Sequence, residues 1–338
     1  MSKKDKGVSS LNRFLWCLLA LLVVGSSLIG CSSAAVQQEK DRPTIRLADQ
    51  FGLGYAPLTV MLEKELLDKH LPGIKIERLK FGSGGSVREA MIAGQLDIGF
   101  MGIPPFLVGW DKGVDWKIAG ALDSMPLLLL TYKDDINCIS DLGPDDKIAL
   151  PGPGSNQHIL LAMEAESILG DGRALDDIIT AIPHPDAATA LLTKQDVTCY
   201  YGAPPYQYEL LKDPNIHQVT DSFTAFGSPF SYIVAVASTS FYEQQPEAYT
   251  AFCSALAETL DFINQNPDET AEILARVEKT VSAATYKEHL TWPGTSWDIT
   301  PQGIMHYARN MLASGYIEKV PASWKEVTFP NLHALSGS

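Results

Sequence analysis

The sequence predicts an α/β protein with mainly parallel sheets, and three observations carry that expectation. Short β-like runs alternate with helical stripes from Pro43 onward. Three strand ends run into glycine- or serine-rich turns that open helices. The strand–turn–helix unit then restarts near Lys147, as if a second α/β unit were inserted into the first.

Residues 44–48 (TIRLA) read as the first strand. From 57 to 70, Leu58, Met61, Leu62, Leu66 and Leu67 make one helical stripe. Residues 74–81 alternate like a strand, glycines 82–85 make a turn, and 86–93 form a short helix. Strands follow at 96–101 (LDIGFM), 116–121 and 126–132. The last of these is so leucine-rich that burial on both faces is expected. In the restarted unit, 147–150 is a strand, 151–154 (PGPG) a turn, and 155–169 a helix with Ser155 as its N-cap. Strands at 180–182 and 197–201 flank a helix at 186–193, and 232–237 (YIVAVA) is the last strand. The rest is helical. One helix covers 246–264, with Pro246 at its first position. A second opens at Asn266, with Glu269 completing a capping box. A third runs from Thr300-Pro301 to about 314.

The length of 338 residues allows about two domains at the usual ~100–200 residues each. With 46% hydrophobic residues the chain can build a substantial core. Its 26 basic against 40 acidic residues give a net charge of −14. That excludes a nucleic-acid binder, which needs a basic face to displace counterions, and basic docking on an anionic membrane. A small anion is still permitted, because backbone N–H groups can hold one whatever the net charge.

Residues 1–30 read as an export leader. Lys3, Lys4, Lys6 and Arg13 precede the apolar run FLWCLLALLVV, which is too short for a comfortable membrane-spanning helix of ~20 residues. Leu28-Ile29-Gly30-Cys31 resembles a lipobox, so Cys31 is expected to be acylated and to become the first mature residue. Two or three acyl chains hold a protein durably where one would be marginal. Residues 31–42, small and polar, then form a flexible tether. Of the remaining cysteines, Cys138, Cys199 and Cys253 match no CxxC motif and allow at most one bridge.

Three segments share one design: DQFGLGYA at 49–56, FGSGGS at 81–86 and LPGPGSNQ at 150–157. In an α/β sheet, ligands lie beyond the carboxyl ends of the strands, where helix starts aim free N–H groups. Glycines alone could simply make the turns. Three such turns rich in hydroxyl and amide side chains favour a polar or anionic ligand. Enzyme signatures are missing: no P-loop lysine follows Gly82, Gly52-x-Gly54 runs into Pro57, and Ser155 lacks a trailing glycine. The seven histidines show no metal-binding spacing and no cofactor motif is found, so neither metal nor cofactor is expected. His158 falls in the first turn after Ser155, where packing is the commoner role for such a residue.

The run Gly82-Ser-Gly-Gly-Ser86-Val-Arg-Glu-Ala-Met-Ile-Ala-Gly-Gln-Leu-Asp97-Ile-Gly-Phe resembles the most characteristic stretch of the substrate-binding proteins of nitrate/sulfonate/taurine ABC importers. Gly154-Ser155-Asn156, Tyr201-Gly202-Ala203-Pro204-Pro205, Asn266-Pro267-Asp268-Glu269 and Trp297-Asp298-Ile299-Thr300-Pro301 resemble that group in the same order. The resemblance implies the type II periplasmic-binding-protein fold, two α/β lobes joined by a two-strand hinge. Lobe one would be 43–130 plus 232–338 and lobe two 131–231, with crossings near 131–133 and 228–232. It also implies ligand contacts from Gln50, Tyr55, Gly85, Ser86, Gly102, Ile103, Pro104, Ser155, Asn156, Gln157, Gly202 and Ala203. Gly102-Ile103-Pro104-Pro105 is similar to the aliphatic-sulfonate members. Phe51, Tyr55 and Tyr201 would suit a partly aromatic ligand.

The expected function is therefore capture, not catalysis. A monomer held by lipid outside the cytoplasm, on the periplasmic side or cell surface of a bacterial membrane, would bind a small organic solute. That solute would be sulfonate-like or otherwise anionic or aromatic, and would be handed to an ABC permease and its ATPase subunits. The alternative is an enzyme on the same two-lobed fold, of dehydratase or pyrimidine-synthesis type. The export leader and the absence of a recognisable acid–base set argue against it. A regulator's sensor domain would need a helix-turn-helix, which the sequence lacks.

Overall fold

A computed structural model describes residues 43–338, so the leader, the tether and Cys31 lie outside the described residues. In chain order, β1 (Thr44–Asp49), α1 (Ala56–Glu63), α2 (Leu66–His70), β2 (Lys75–Lys80), α3 (Gly84–Ile92), β3 (Ile98–Met101), α4 (Ile103–Asp111) and β4 (Trp116–Ala121) come first. The second set is β5 (Leu128–Thr131), β6 (Ile148–Leu150), α5 (Asn156–Leu169), β7 (Ile179–Ala181), α6 (His184–Leu192), β8 (Cys199–Tyr201), α7 (Tyr206–Leu210), β9 (His217–Asp221) and α8 (Ser222–Phe226). The chain finishes with β10 (Val234–Ser238) and helices α9 (Thr239–Gln244), α10 (Pro246–Gln265), α11 (Pro267–Val277), α12 (Ala283–Leu290) and α13 (Ile304–Ala313).

Two five-stranded sheets result, ordered β2-β1-β3-β10-β4 and β7-β6-β8-β5-β9. They share one plan. In each, four strands point the same way and the fourth strand in the order is reversed, β10 in one and β5 in the other. These are the type II periplasmic-binding-protein fold's two α/β lobes. The reversed strands are those adjoining the chain's two passages between sheets, at 122–127 and 222–233. The passages bond to each other: Leu122 N–H donates to Ile233 O (3.0 Å) and Tyr232 N–H to Asp123 O (3.0 Å).

The central strands are buried on both faces because helices cover both sides, so β5 (LLLT) and β10 (VAVA) carry apolar residues consecutively, without alternation. In α10, Phe252, Leu256, Leu260 and Ile263 recur at helical spacing and face inward. Within the conspicuous LDIGF stretch, Asp97 accepts Arg46 N–H, Nε–H and Nη2–H at 2.8, 3.0 and 2.7 Å. It joins β1 to the start of β3, a structural role.

Several local expectations are corrected. The stripe at 57–70 is two helices, since Glu65 takes a left-handed φ of 52° between them; the apolar face continues across the break, so periodicity could not reveal it. The helix expected from 86 starts at Gly84, with Ser83 Oγ accepting Ser86 N–H (3.2 Å). The capping box at Asn266 is absent: Asn266 Nδ2 donates to Phe262 O (3.1 Å) and Glu269 pairs with Lys64 (2.8 Å). The helix expected at 300 begins at Ile304, after Gly303 at φ 85°. Residues 103–111, given no element in the sequence reading, form α4 with proline in its first turn, where a missing N–H costs nothing. The sequence reading also missed β9 and α12. Cys138, Cys199 and Cys253 are free thiols. Among the described residues no helix is long and apolar enough to cross a membrane.

Candidate functional site

Strand β1 ends at Asp49, and the chain turns at once, presenting Gln50 and then Tyr55. Gln50 is buried and donates from Nε2 to Phe100 O (3.0 Å), which fixes it against β3. From the same sheet, Gly84 opens α3 and Gly102 caps α4. The second sheet brings Ser155, Asn156 and Gln157 at the start of α5 and His184 at the start of α6. Tyr232 comes from the returning passage. These residues, with Pro105 and Pro151, enclose one cavity of ≈ 20 Å³, about the room one water needs.

Each side chain is placed by a short bond. Ser155 Oγ accepts His158 N–H (3.3 Å), an N-cap. Asn156 Nδ2 donates to Tyr232 O (2.9 Å), leaving its Oδ1 buried without a partner. Gln157 Nε2 donates to Gly202 O (3.4 Å) and faces His184 Nε2 (3.3 Å). An amide N–H toward Nε2 makes that nitrogen the acceptor, so Nδ1 carries the proton and donates to Tyr200 Oη (2.7 Å). Burial drives the His184 pKa down to about 3, so the ring is neutral. Asp123, sealed behind Gly54, accepts Ile233 N–H (3.2 Å) and has no partner for Oδ2; burial pushes its pKa well above the usual carboxylate range.

No Lys, Arg, Asp or Glu lines the cavity. Its electrostatics come from the starts of four helices of 9, 9, 14 and 9 residues. The starts of α3 and α5 present free N–H groups and so a partial positive charge, whereas α4 and α6 present fewer, because Pro104, Pro105, Pro183 and Pro185 have no N–H. Four of them around one small space favour an anion, with hydroxyl and amide side chains to orient it.

Of the expected contacts, Gln50, Tyr55, Gly102, Ser155, Asn156 and Gln157 come together at this cavity. Gly85, Ser86, Ile103 and Pro104 do not line it; α3 and α4 instead present Gly84, Gly102 and Pro105. Ser86 is occupied with Ser83, its Oγ 3.0 Å from Ser83 Oγ. Gly202 enters only through its carbonyl, and Ala203 is fully buried. Tyr201 lies in the core, and Phe51 faces a different chamber. His158 is a packing residue: Nδ1 accepts Gly154 N–H (2.8 Å) and Nε2 donates to Asp176 (2.9 Å). Sequence reasoning missed His184 and Tyr232. His184 follows a strand and opens a helix like the glycine-rich segments, and that shared position was its available signal.

Comparison with known proteins gives three findings. The family model described as NMT1-like matches residues 38–278. An Escherichia coli K12 protein named for aliphatic sulfonate binding is 25% identical over 217 residues, 61% of this chain and 66%, just under two thirds, of that protein. Among solved structures, the alkanesulfonate-binding protein of Xanthomonas axonopodis pv. citri bound to MOPS is similar with a TM-score of 0.69 at 20% identity, over 82% of this chain and 96% of that one. The periplasmic nitrate-binding protein of Synechocystis PCC 6803 gives 0.68 at 17% identity, over 86% and 87%. At these identities the structural likeness is one of fold.

Two predictions follow from the packing. A Cβ on Gly102 would lie 2.2–2.5 Å from the Asn156 amide across the cleft. Gly102→Ala is therefore expected to disfavour this closed arrangement by about 1–3 kcal/mol, read as a larger radius of gyration in small-angle scattering; unchanged scattering refutes it. His184 has a folded pKa of about 3 against about 6.5 unfolded. Its contribution to stability is intact above about pH 6.5 and drains as pH falls toward 3. Melting temperature should fall more steeply across that window in the wild type than in His184→Gln, and parallel slopes would contradict the assignment.

Proposed function

The chain belongs to the NMT1-like family, and we propose that it is the solute-binding component of an ABC importer. It captures a small organic solute, sulfonate-like or otherwise anionic or aromatic, between its two sheets and delivers it to the permease. The observation that carries this reading is the convergence of four helix starts, two from each sheet, on one cavity without a charged side chain. Gln50, Tyr55, Gly102, Ser155, Asn156 and Gln157 are the proposed ligand contacts, joined by His184 and Tyr232. Binding without catalysis fits a site whose histidine is neutral and which no carboxyl lines.

Capture works by hinge motion about the paired passages at 122–127 and 222–233. A cavity of ≈ 20 Å³ admits no organic solute without the sheets parting. Closure is then reinforced by Leu53 N–H donating to Pro204 O (2.7 Å) across the cleft, and a solute shifts the balance by its preference for the closed form. The leader and Cys31 support export and lipid anchoring, which would keep the acidic body at a membrane surface that its charge alone would not seek.

A thermal-shift screen of sulfonates, taurine, nitrate and pyrimidines tests the reading. A true solute at a hundredfold excess over Kd should add about 2.7 kcal/mol of stability. Gln157→Ala is expected to weaken that solute's binding at least tenfold. No shift with any small solute, and no solute co-purifying, would sink the proposal.

A further inference from the structure

Beyond the strut formed by Leu53 N–H and Pro204 O lies a second chamber of ≈ 300 Å³, fifteen times the inner cavity. Phe51, Tyr206 and Tyr286 supply aromatic walls, and Pro185, Pro205 and Leu274 supply apolar ones. Between the two spaces lie that backbone bond and the His184 ring stacked on Tyr206, with centroids 6.3 Å apart and planes 18° from parallel. Gly52 permits the strut, with φ at 127° and Pro204 O at 3.2 Å from where a Cβ would stand. The strut joins opposite sides of the cleft, while His184 and Tyr206 both belong to the second sheet's side, so parting the sheets breaks the strut and leaves the aromatic stack in place beside the opened cavity.

The chamber's charges cancel. Lys80 Nζ pairs with Glu278 (3.0 Å), Arg78 Nη2 with Asp49 (2.5 Å), and Arg78 reaches Glu278 (3.5 Å). Of these only Lys80 and Glu278 line the chamber, one cation against one anion, and Lys80 also lies 5.4 Å over the Phe51 ring. No charge is left to pair with a charged occupant, while a volume of this size falls at the lower end of small-molecule pockets. The inner cavity offers dipoles and almost no room; the outer chamber offers room and aromatic faces with no net charge.

We propose that the outer chamber receives the body of the captured solute, an uncharged ring system whose anionic group sits among the helix starts of the inner cavity. The favoured solutes are thus ring-bearing anions, with short-chain anions bound weakly. This rests on the solute-capture reading and narrows it to a substrate class. Offset stacking on Phe51, Tyr206 or Tyr286 would supply the selectivity.

Calorimetric titration of the purified protein with methanesulfonate, acetate, benzoate, benzenesulfonate and naphthalene-2-sulfonate tests it. The aryl anions are expected to bind at least tenfold more tightly than their one- and two-carbon counterparts. Tyr286→Ala should shrink that ratio to about threefold or less. Because Tyr286 is buried, Thr280→Trp, which fills the chamber from an exposed rim position, provides a second route to the same loss. In both variants the short anions should keep their affinity within about twofold. Aryl anions no tighter than short ones, or a ratio untouched by both variants, would overturn the assignment of the chamber while leaving solute capture intact. If no anion bound at all, this proposal would fall, and solute capture itself would then be decided by the thermal-shift screen with uncharged solutes such as pyrimidines.

Discussion

Two chain passages bonded side by side constrain everything else in this molecule. Leu122 with Ile233 and Tyr232 with Asp123 pair the outgoing and returning segments. Because the chain leaves one sheet and returns to it, each sheet acquires one reversed strand, β5 or β10, wedged between parallel neighbours. The remaining strands of both sheets keep one direction, so their carboxyl ends, and the helices that follow, meet across the space beside the passages. The carboxyl of Asp123 sits within this junction, its pKa held well above the usual carboxylate range by burial, where an ionised group without a partner would be costly.

From that constraint follows a site made of backbone dipoles. A chain of net charge −14 would repel an anion at long range, yet the cavity exposes no carboxylate and is ringed by helix starts. Dipole fields fall away within a turn of helix, so they act where the solute rests and do not compete with the overall field at distance. Side chains supply orientation: Asn156 is tied to Tyr232, Gln157 to Gly202, and neutral His184 to Tyr200. These bonds fix the cavity's polar groups in place before any solute arrives.

Much of this was legible in the residues. The strand–turn–helix design drew attention to the segments 49–56 and 150–157, because glycine turns and N-caps leave local signatures, while Gly102 was expected only from the family resemblance. His184 and Tyr232 left none of that kind. Pro183 precedes His184 where a glycine might have drawn notice, and Tyr232 looked like the first residue of a strand that in fact begins at Val234. Gly85 and Ser86 fall one and two residues beyond Gly84, the residue of that helix start which lines the cavity, since glycines that suggested a turn are the helix's own first residues. The break at Glu65 was hidden because the apolar stripe continues through it, whereas at Asn266 the helix start was right and only the capping box failed, and the helix expected from 300 begins at Ile304 after the left-handed Gly303.

The sequence by itself determined the architecture and several of the turns that line the cavity, and it raised the expectation of an exported, acylated chain whose leader lies outside the described residues. These depend on periodicity, turn chemistry and short motifs, all of which are local along the chain. Only the tertiary structure decided which turns share a cavity, how small that cavity is, and that a larger neutral chamber adjoins it. Those properties depend on the packing of residues 50 to 180 positions apart, such as Asn156 against Gly102 and Leu53 against Pro204. No spacing in one dimension encodes such a contact, because it exists only once two sheets have closed on each other.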